Sequence, residues 1–328
     1  MALAVVASLT ACSDWTDPEP VDNKYQGIGE ADPDNYAKYL ANLREYRNNG
    51  HKKVYAWFDN QASFTSQADH VASVPDSIDV LVLHNPDKVS DNVLNEMVEK
   101  RSNTGMQMAY TVDYAAMRKN WQNQKEHADA DGATFPAWSE FMTDSLATAL
   151  SYAQTYGFNR LIVAYDGQNP ASMTSTELDA YTAEQNAFVG VAVNWAKSHS
   201  VAYDLMGIPA NIIDKTVLDN AGVIFLSETA SATNTNEMNT IIGRATAAGV
   251  PTGKFGVMTA LPVLDKNQAT VGYWGTSYTA VTVARWMRNS ADGVSALGMT
   301  NLYDGYYNTT FQYPVCRVAI QTLNPASK

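Results

Sequence analysis

A single-domain (β/α)8 barrel of the α/β class is the fold this sequence predicts, and three observations predict it. Apolar strand-like runs alternate with helix-spaced segments about eight times. No sharp change in composition interrupts them, and 328 residues suit one barrel with loops. No glycine-rich phosphate fingerprint follows the first strand, which disfavours an open nucleotide-binding sheet.

The elements follow in chain order. Segment 34–49 (DNYAKYLANLREYRNN) has helical periodicity. Segment 53–59, KVYAWFD, carries the β-branched and aromatic residues of a first strand. Segment 77–84, SIDVLVLH, is almost continuously apolar, as a strand covered on both faces must be. An amphipathic helix is predicted over 89–102, then a third strand over 106–112, MQMAYTV. A long polar insert runs from about 115 to 136, where no apolar stripe is visible. A helix at 138–156 leads to the fourth strand, 160–166. The run Thr174-Ser175-Thr176-Glu177 has capping-box spacing and opens a helix predicted over 174–200. Strands five to eight are predicted at 201–206, 221–227, 254–259 and 294–302. The remaining helices are predicted at 236–248, 277–289 and 311–323.

Composition narrows the function. A net charge of −12 argues against nucleic acid, because phosphate contacts need a basic stripe. The 18 tyrosines and 7 tryptophans suit neutral polar ligands such as sugars, and also protein partners. The five histidines are scattered and no CxxC or HExxH occurs, so neither a metal site nor a cofactor is expected. Of the two cysteines, Cys316 falls in a predicted helix and reads as core.

The start, MALAVVASLTACSDW, is an apolar run ending in small residues before Cys12. It resembles a bacterial lipoprotein signal at 1–12, with Cys12 acylated after cleavage. The basic start of such a signal is missing, which would place the true N-terminus upstream. The acidic, proline-containing stretch 13–33 reads as a tether, and 34–328 as the barrel. The expected location is the outer face of the outer membrane, reached through the lipid alone.

In a barrel of this kind, function sits at the C-terminal ends of the strands. The residues predicted there are Asp59 and Asn60 after strand one, and Asp113 and Tyr114 after strand three. Asp166 and Gln168 follow strand four, and Glu228 follows strand six. Tyr273 and Trp274 lie in the loop after strand seven; Asn301, Tyr303 and Tyr306 follow strand eight. Carboxylates and amides bind hydroxyls, and aromatic faces pack on the apolar face of a pyranose.

Around GFNRLIVAYDG, residues 157–167, the chain resembles glycoside hydrolase family 18, the chitinase and endo-β-N-acetylglucosaminidase barrels. The family pattern at the fourth strand is roughly D-x-x-D-x-D-x-E. The matching positions here are Asn159, Ile162, Ala164 and Asp166. The resemblance implies that the last acid protonates the leaving oxygen and the one before it orients the substrate acetamide, whose carbonyl attacks. Here Ile162 and Ala164 cannot ionise. Asp166 is a methylene shorter than Glu, and a misplacement near 1 Å can cost about 100-fold. Loss of acid catalysis costs roughly 100- to 10,000-fold.

The expected function is therefore a non-catalytic, cell-surface lipoprotein that binds an N-acetylglucosamine-containing oligosaccharide, an N-glycan or chito-oligosaccharide. Its expected partners are surface glycosidases and an outer-membrane glycan importer. One alternative is an active endo-β-N-acetylglucosaminidase with Asp166 as acid and Glu228 or Asp113 in the second role. Another is a protein-binding scaffold whose tyrosines contact a partner.

Overall fold

The computed structural model describes residues 32–290, 293–308 and 310–325. The expected signal with Cys12, and the expected tether up to residue 31, lie outside the described residues. The described residues divide into two units, one ending at Ala41 and the other beginning at Asn42. Pro33 opens helix α1 (Pro33–Asn48), and Tyr36 stacks on Tyr39 one turn on, centroids 6.3 Å apart.

The second unit contains a closed barrel of eight parallel strands. They are β1 (Lys53–Phe58), β2 (Val80–Leu83), β3 (Gln107–Asp113), β4 (Arg160–Tyr165), β5 (Ala202–Gly207), β6 (Ile224–Leu226), β7 (Phe255–Ala260) and β10 (Val294–Thr300). The ring runs in chain order and closes where β10 pairs with β1. A separate hairpin, β8 (Tyr273–Trp274) and β9 (Ser277–Tyr278), sits in the loop after β7. The helices are α2 (Asp91–Thr104), α3 (Tyr114–Ala130), α4 (Trp138–Tyr156), α5 (Ser175–Gln185), α6 (Val191–Ser198), α7 (Thr216–Asp219), α8 (Thr235–Ala247), α9 (Thr279–Ser290) and α10 (Pro314–Leu323). Among the described residues no helix is long and apolar enough to cross a membrane.

Two expectations need correction. The polar insert is mostly helix α3: Asp113 caps it by accepting from Ala116 N at 3.0 Å. No residue of α3 is buried, which is why no apolar stripe marks it. The helix predicted over 174–200 begins at the expected capping box, but a π turn at Asn186–Gly190 divides it into α5 and α6. The hairpin and α7 were not predicted; each is too short to show a period.

Strand alternation sorts the apolar side chains into two layers. Val54, Ala56, Leu81, Leu161, Val163 and their equivalents pack outward beneath the helices. Tyr55, Trp57, Val80, Val82, Ala109, Ile162, Val223, Phe225, Met258 and Ala296 fill the lumen. There, large rings interlock with small residues. Phe225 meets Tyr55 and Trp57 edge-on at 4.9 and 5.6 Å. A Cβ on Gly256 would fall 2.4 Å from the Phe225 ring, so a larger residue there has no room.

Below this plug, Arg160 bonds Asp204 at 2.6 Å, and Asp204 also accepts from Val223 N at 2.8 Å. Asp204 is fully buried, and burial pushes its carboxyl up against the pull of Arg160. At the other end of the barrel two clasps hold the loops. Asn60 is fully buried and exchanges hydrogen bonds with Asn85, 2.8 Å to its carbonyl and 2.9 Å from its amide. Asp69, also buried, accepts from Thr65 N, Ser66 N, the Thr65 hydroxyl and the Tyr303 hydroxyl at 2.6–2.9 Å.

Arg160→Met would leave the Asp204 charge buried alone and is expected to cost about 3–5 kcal/mol in urea unfolding. A loss below about 1 kcal/mol, the worth of an exposed pair, would show that the pair is not effectively buried. Burial pushes the Asp69 carboxyl up, but its four donors outweigh that and bring it down to about 2. Its unfolded value lies near 4, so this stabilisation is present above about pH 4 and lost as pH falls towards 2. Asp69→Asn is expected to flatten that part of the stability profile, measured by urea unfolding between pH 6 and pH 2.5.

Candidate functional site

The fourth strand builds the centre of the site. Ile162 lies in the lumen cluster and is fully buried; Ala164, two residues on, takes the same face and is 6% exposed. In register, Ile162 stands between Thr111 and Asp204, and Ala164 between Asp113 and Met206. Asp166 follows just past the strand end and is exposed.

Asp166 is held at both ends. Its backbone carbonyl accepts from Asn211 Nδ2 at 2.8 Å, and its Oδ1 accepts from the Ser227 hydroxyl at 2.7 Å. Ser227 sits just past β6, on the inward alternation of Val223 and Phe225. The next residue, Gly167, has φ +63°, and a Cβ there would lie 2.3 Å from the Tyr181 hydroxyl. Only glycine makes this turn without displacing Tyr181.

Beside Asp166 opens a cleft of about 590 Å³. Its walls include Tyr114, Tyr165, Gln168, Met173, Glu177, Tyr181 and Glu184. Tyr114 donates to Glu184 at 2.7 Å, and Trp138 Nε1 donates to the same oxygen. Arg118 lies 3.6 Å from Glu184 and stacks over Trp138 at 4.5 Å. Burial first, and then Glu184, push the Tyr114 phenol up, so it stays a neutral donor. Glu177 is engaged by the Thr174 cap at 2.8 Å. The cleft thus offers phenols, amides and carboxylates already oriented by donors, which suits hydroxyl-rich ligands.

The other predicted residues are dispersed. Asp59 is exposed at the end of β1. Asn60, buried in its clasp, lines no surface. Glu228 pairs with Arg244 at 2.9 Å on the outside. Trp274 donates to the Ala232 carbonyl at 2.9 Å and anchors the hairpin, while its neighbour Tyr273 takes the opposite face. Asn301 has φ +60° and donates to the Leu261 carbonyl at 3.3 Å. Tyr303 is committed to Asp69, and Tyr306 packs edge-on against Tyr307 and Tyr313. Only Tyr114, Asp166 and Gln168 meet in the cleft.

Ser227, Tyr181 and Glu184 were not predicted. Counting by twos from Val223 would have reached Ser227. No signal in a long helix distinguishes Tyr181 and Glu184 from its solvated face. Among the described residues, no three His, Cys, Asp or Glu side chains come close enough to hold a metal.

A family model, glycoside hydrolase family 18, BT1044-like, matches residues 16–322. No curated protein matches the chain. Among solved structures, a substituted, selenomethionine-labelled BT1044 superposes with a TM-score of 0.62 at 13% identity, covering 92% of this chain and 96% of that one. An endo-β-N-acetylglucosaminidase from Cordyceps militaris, without ligand, gives 0.60 at 12% identity, covering 88% and 96%. A doubly substituted form of that fungal enzyme, in complex with fucosyl-N-acetylglucosamine-Asn, gives 0.57 at 13% identity, covering 87% and 95%. At such identities these superpositions carry the fold alone.

Proposed function

The chain belongs to glycoside hydrolase family 18, and we propose that it holds a glycan without cutting it. The observation that carries this reading is the inward face of β4, where Ile162 and Ala164 stand in the lumen. Neither side chain can position an acetamide or share a proton. Asp166 has one oxygen engaged by Ser227, and the other is suited to accept a sugar hydroxyl. The rings of Tyr114 and Tyr181 supply apolar surface beside it, while their hydroxyls already donate to Glu184 and to the Asn211 carbonyl.

The ligand class proposed is an oligosaccharide containing N-acetylglucosamine. The fungal relative that holds fucosyl-N-acetylglucosamine-Asn supports that choice. The start of the chain supports a lipid anchor at Cys12 and a place on the outer membrane surface. There the protein would retain glycan for surface glycosidases and an importer.

One observation favours a second reading, an active endo-β-N-acetylglucosaminidase. Asp113 is the register partner of Ala164, so a carboxylate stands one strand away from the vacant position. It would orient the acetamide while Asp166 serves as acid.

Calorimetry is expected to detect N-glycan or chito-oligosaccharide binding that Asp166→Ala weakens about tenfold, the worth of a lost hydrogen bond to a charged group. Mass spectrometry of a labelled glycoprotein is expected to find no released glycan. Release that Asp166→Ala abolishes would establish the second reading instead. In cells, Cys12→Ala is expected to move the protein out of the membrane fraction; unchanged fractionation would remove the anchor.

A further inference from the structure

Across the barrel mouth from Asp166 lies a groove of about 220 Å³. One wall is the turn after β7, with Leu264 57% exposed. The other is the segment after β10, including Asp304, Tyr307 and Asn308. The hairpin closes one end. Tyr273 and Tyr278 are directly paired across its strands, which puts both rings on one face, centroids 5.2 Å apart. Tyr278 and Tyr307 are each 43% exposed.

The walls are pinned before any ligand arrives. Asp304 accepts from Leu264 N at 3.0 Å, and Asn301 ties the end of β10 to the Leu261 carbonyl. Trp274, on the other face of the hairpin, anchors the ring pair to Ala232. A built aromatic trough with a carboxylate and an amide on its rim matches a sugar ring, apolar on one face and hydroxylated at its edge. Its volume suits a single small ligand and is too small for a helix, whose diameter is about 10 Å.

We propose that this groove is a second saccharide-binding site that takes a terminal sugar of the same glycan or of a neighbouring one. β4 and β10 stand opposite each other in the closed ring, so the two sites flank the mouth rather than form one trough. The proposal rests on the glycan-binding reading for its ligand class, but its residues are separate from the Asp166 cleft. A ligand engaging both sites gains affinity through effective concentration without new contacts.

The test is calorimetry of a biantennary N-glycan with terminal N-acetylglucosamine against wild type, Tyr278→Ala, Tyr278→Phe and Asp166→Ala. Tyr278 is exposed, so the variants are expected to keep the wild-type melting temperature. Tyr278→Ala is expected to weaken binding about tenfold, and Tyr278→Phe, which keeps the ring, to remain within about twofold. Weakening by both Tyr278→Ala and Asp166→Ala upholds both sites. Wild-type affinity in Tyr278→Ala with loss in Asp166→Ala overturns the groove and leaves the cleft. Loss in Tyr278→Ala alone upholds the groove and overturns the cleft. No binding by wild type overturns both.

Discussion

Closure of β10 onto β1 is the constraint on which the rest of this protein depends. Once eight parallel strands form a ring, each side chain must face either the lumen or the helices, and register decides which. A one-residue slip in β4 would send Ile162 outward and bring Leu161 and Val163 inward. The Arg160–Asp204 pair between β4 and β5 makes such a slip costly, as the Phe225 ring against Gly256 does between β6 and β7. The lumen is thus a plug of rings and small residues.

At the rim of the lumen most polar groups already have partners. Asn60 clasps Asn85, Tyr303 completes the cradle of Asp69, Glu228 pairs with Arg244 and Trp274 holds Ala232. These contacts make the loops rigid, and they remove residues that would otherwise look like ligands for a sugar. Asp166 differs because its support leaves it exposed: Asn211 fixes the backbone and Ser227 one carboxylate oxygen. A preoriented acceptor gains affinity because little ordering remains to be done on binding.

The same economy of faces explains the hairpin. Adjacent strand residues point to opposite sides, so Trp274 can anchor while Tyr273 remains available beside Tyr278. Family membership gives the barrel and its mouth. The inward face of β4 in this chain is apolar at Ile162 and Ala164, beneath a rim rich in tyrosine.

By itself the sequence determined the eight-fold alternation, the strand cores, the capping box at Thr174 and the inward face of β4. Each depends on short-range periodicity or a local hydrogen bond, and both are written in neighbouring residues. Only the tertiary structure decided that Ser227 reaches Asp166 from two strands away in the ring, that Glu184 joins Tyr114 and Trp138, and that Asn60 turns inward. It also turned a segment with no apolar stripe into α3. Such partners are distant in sequence, and a polar residue looks the same in one dimension whether it meets solvent, a ligand or another loop. Which of these it meets is settled by the geometry of the closed ring.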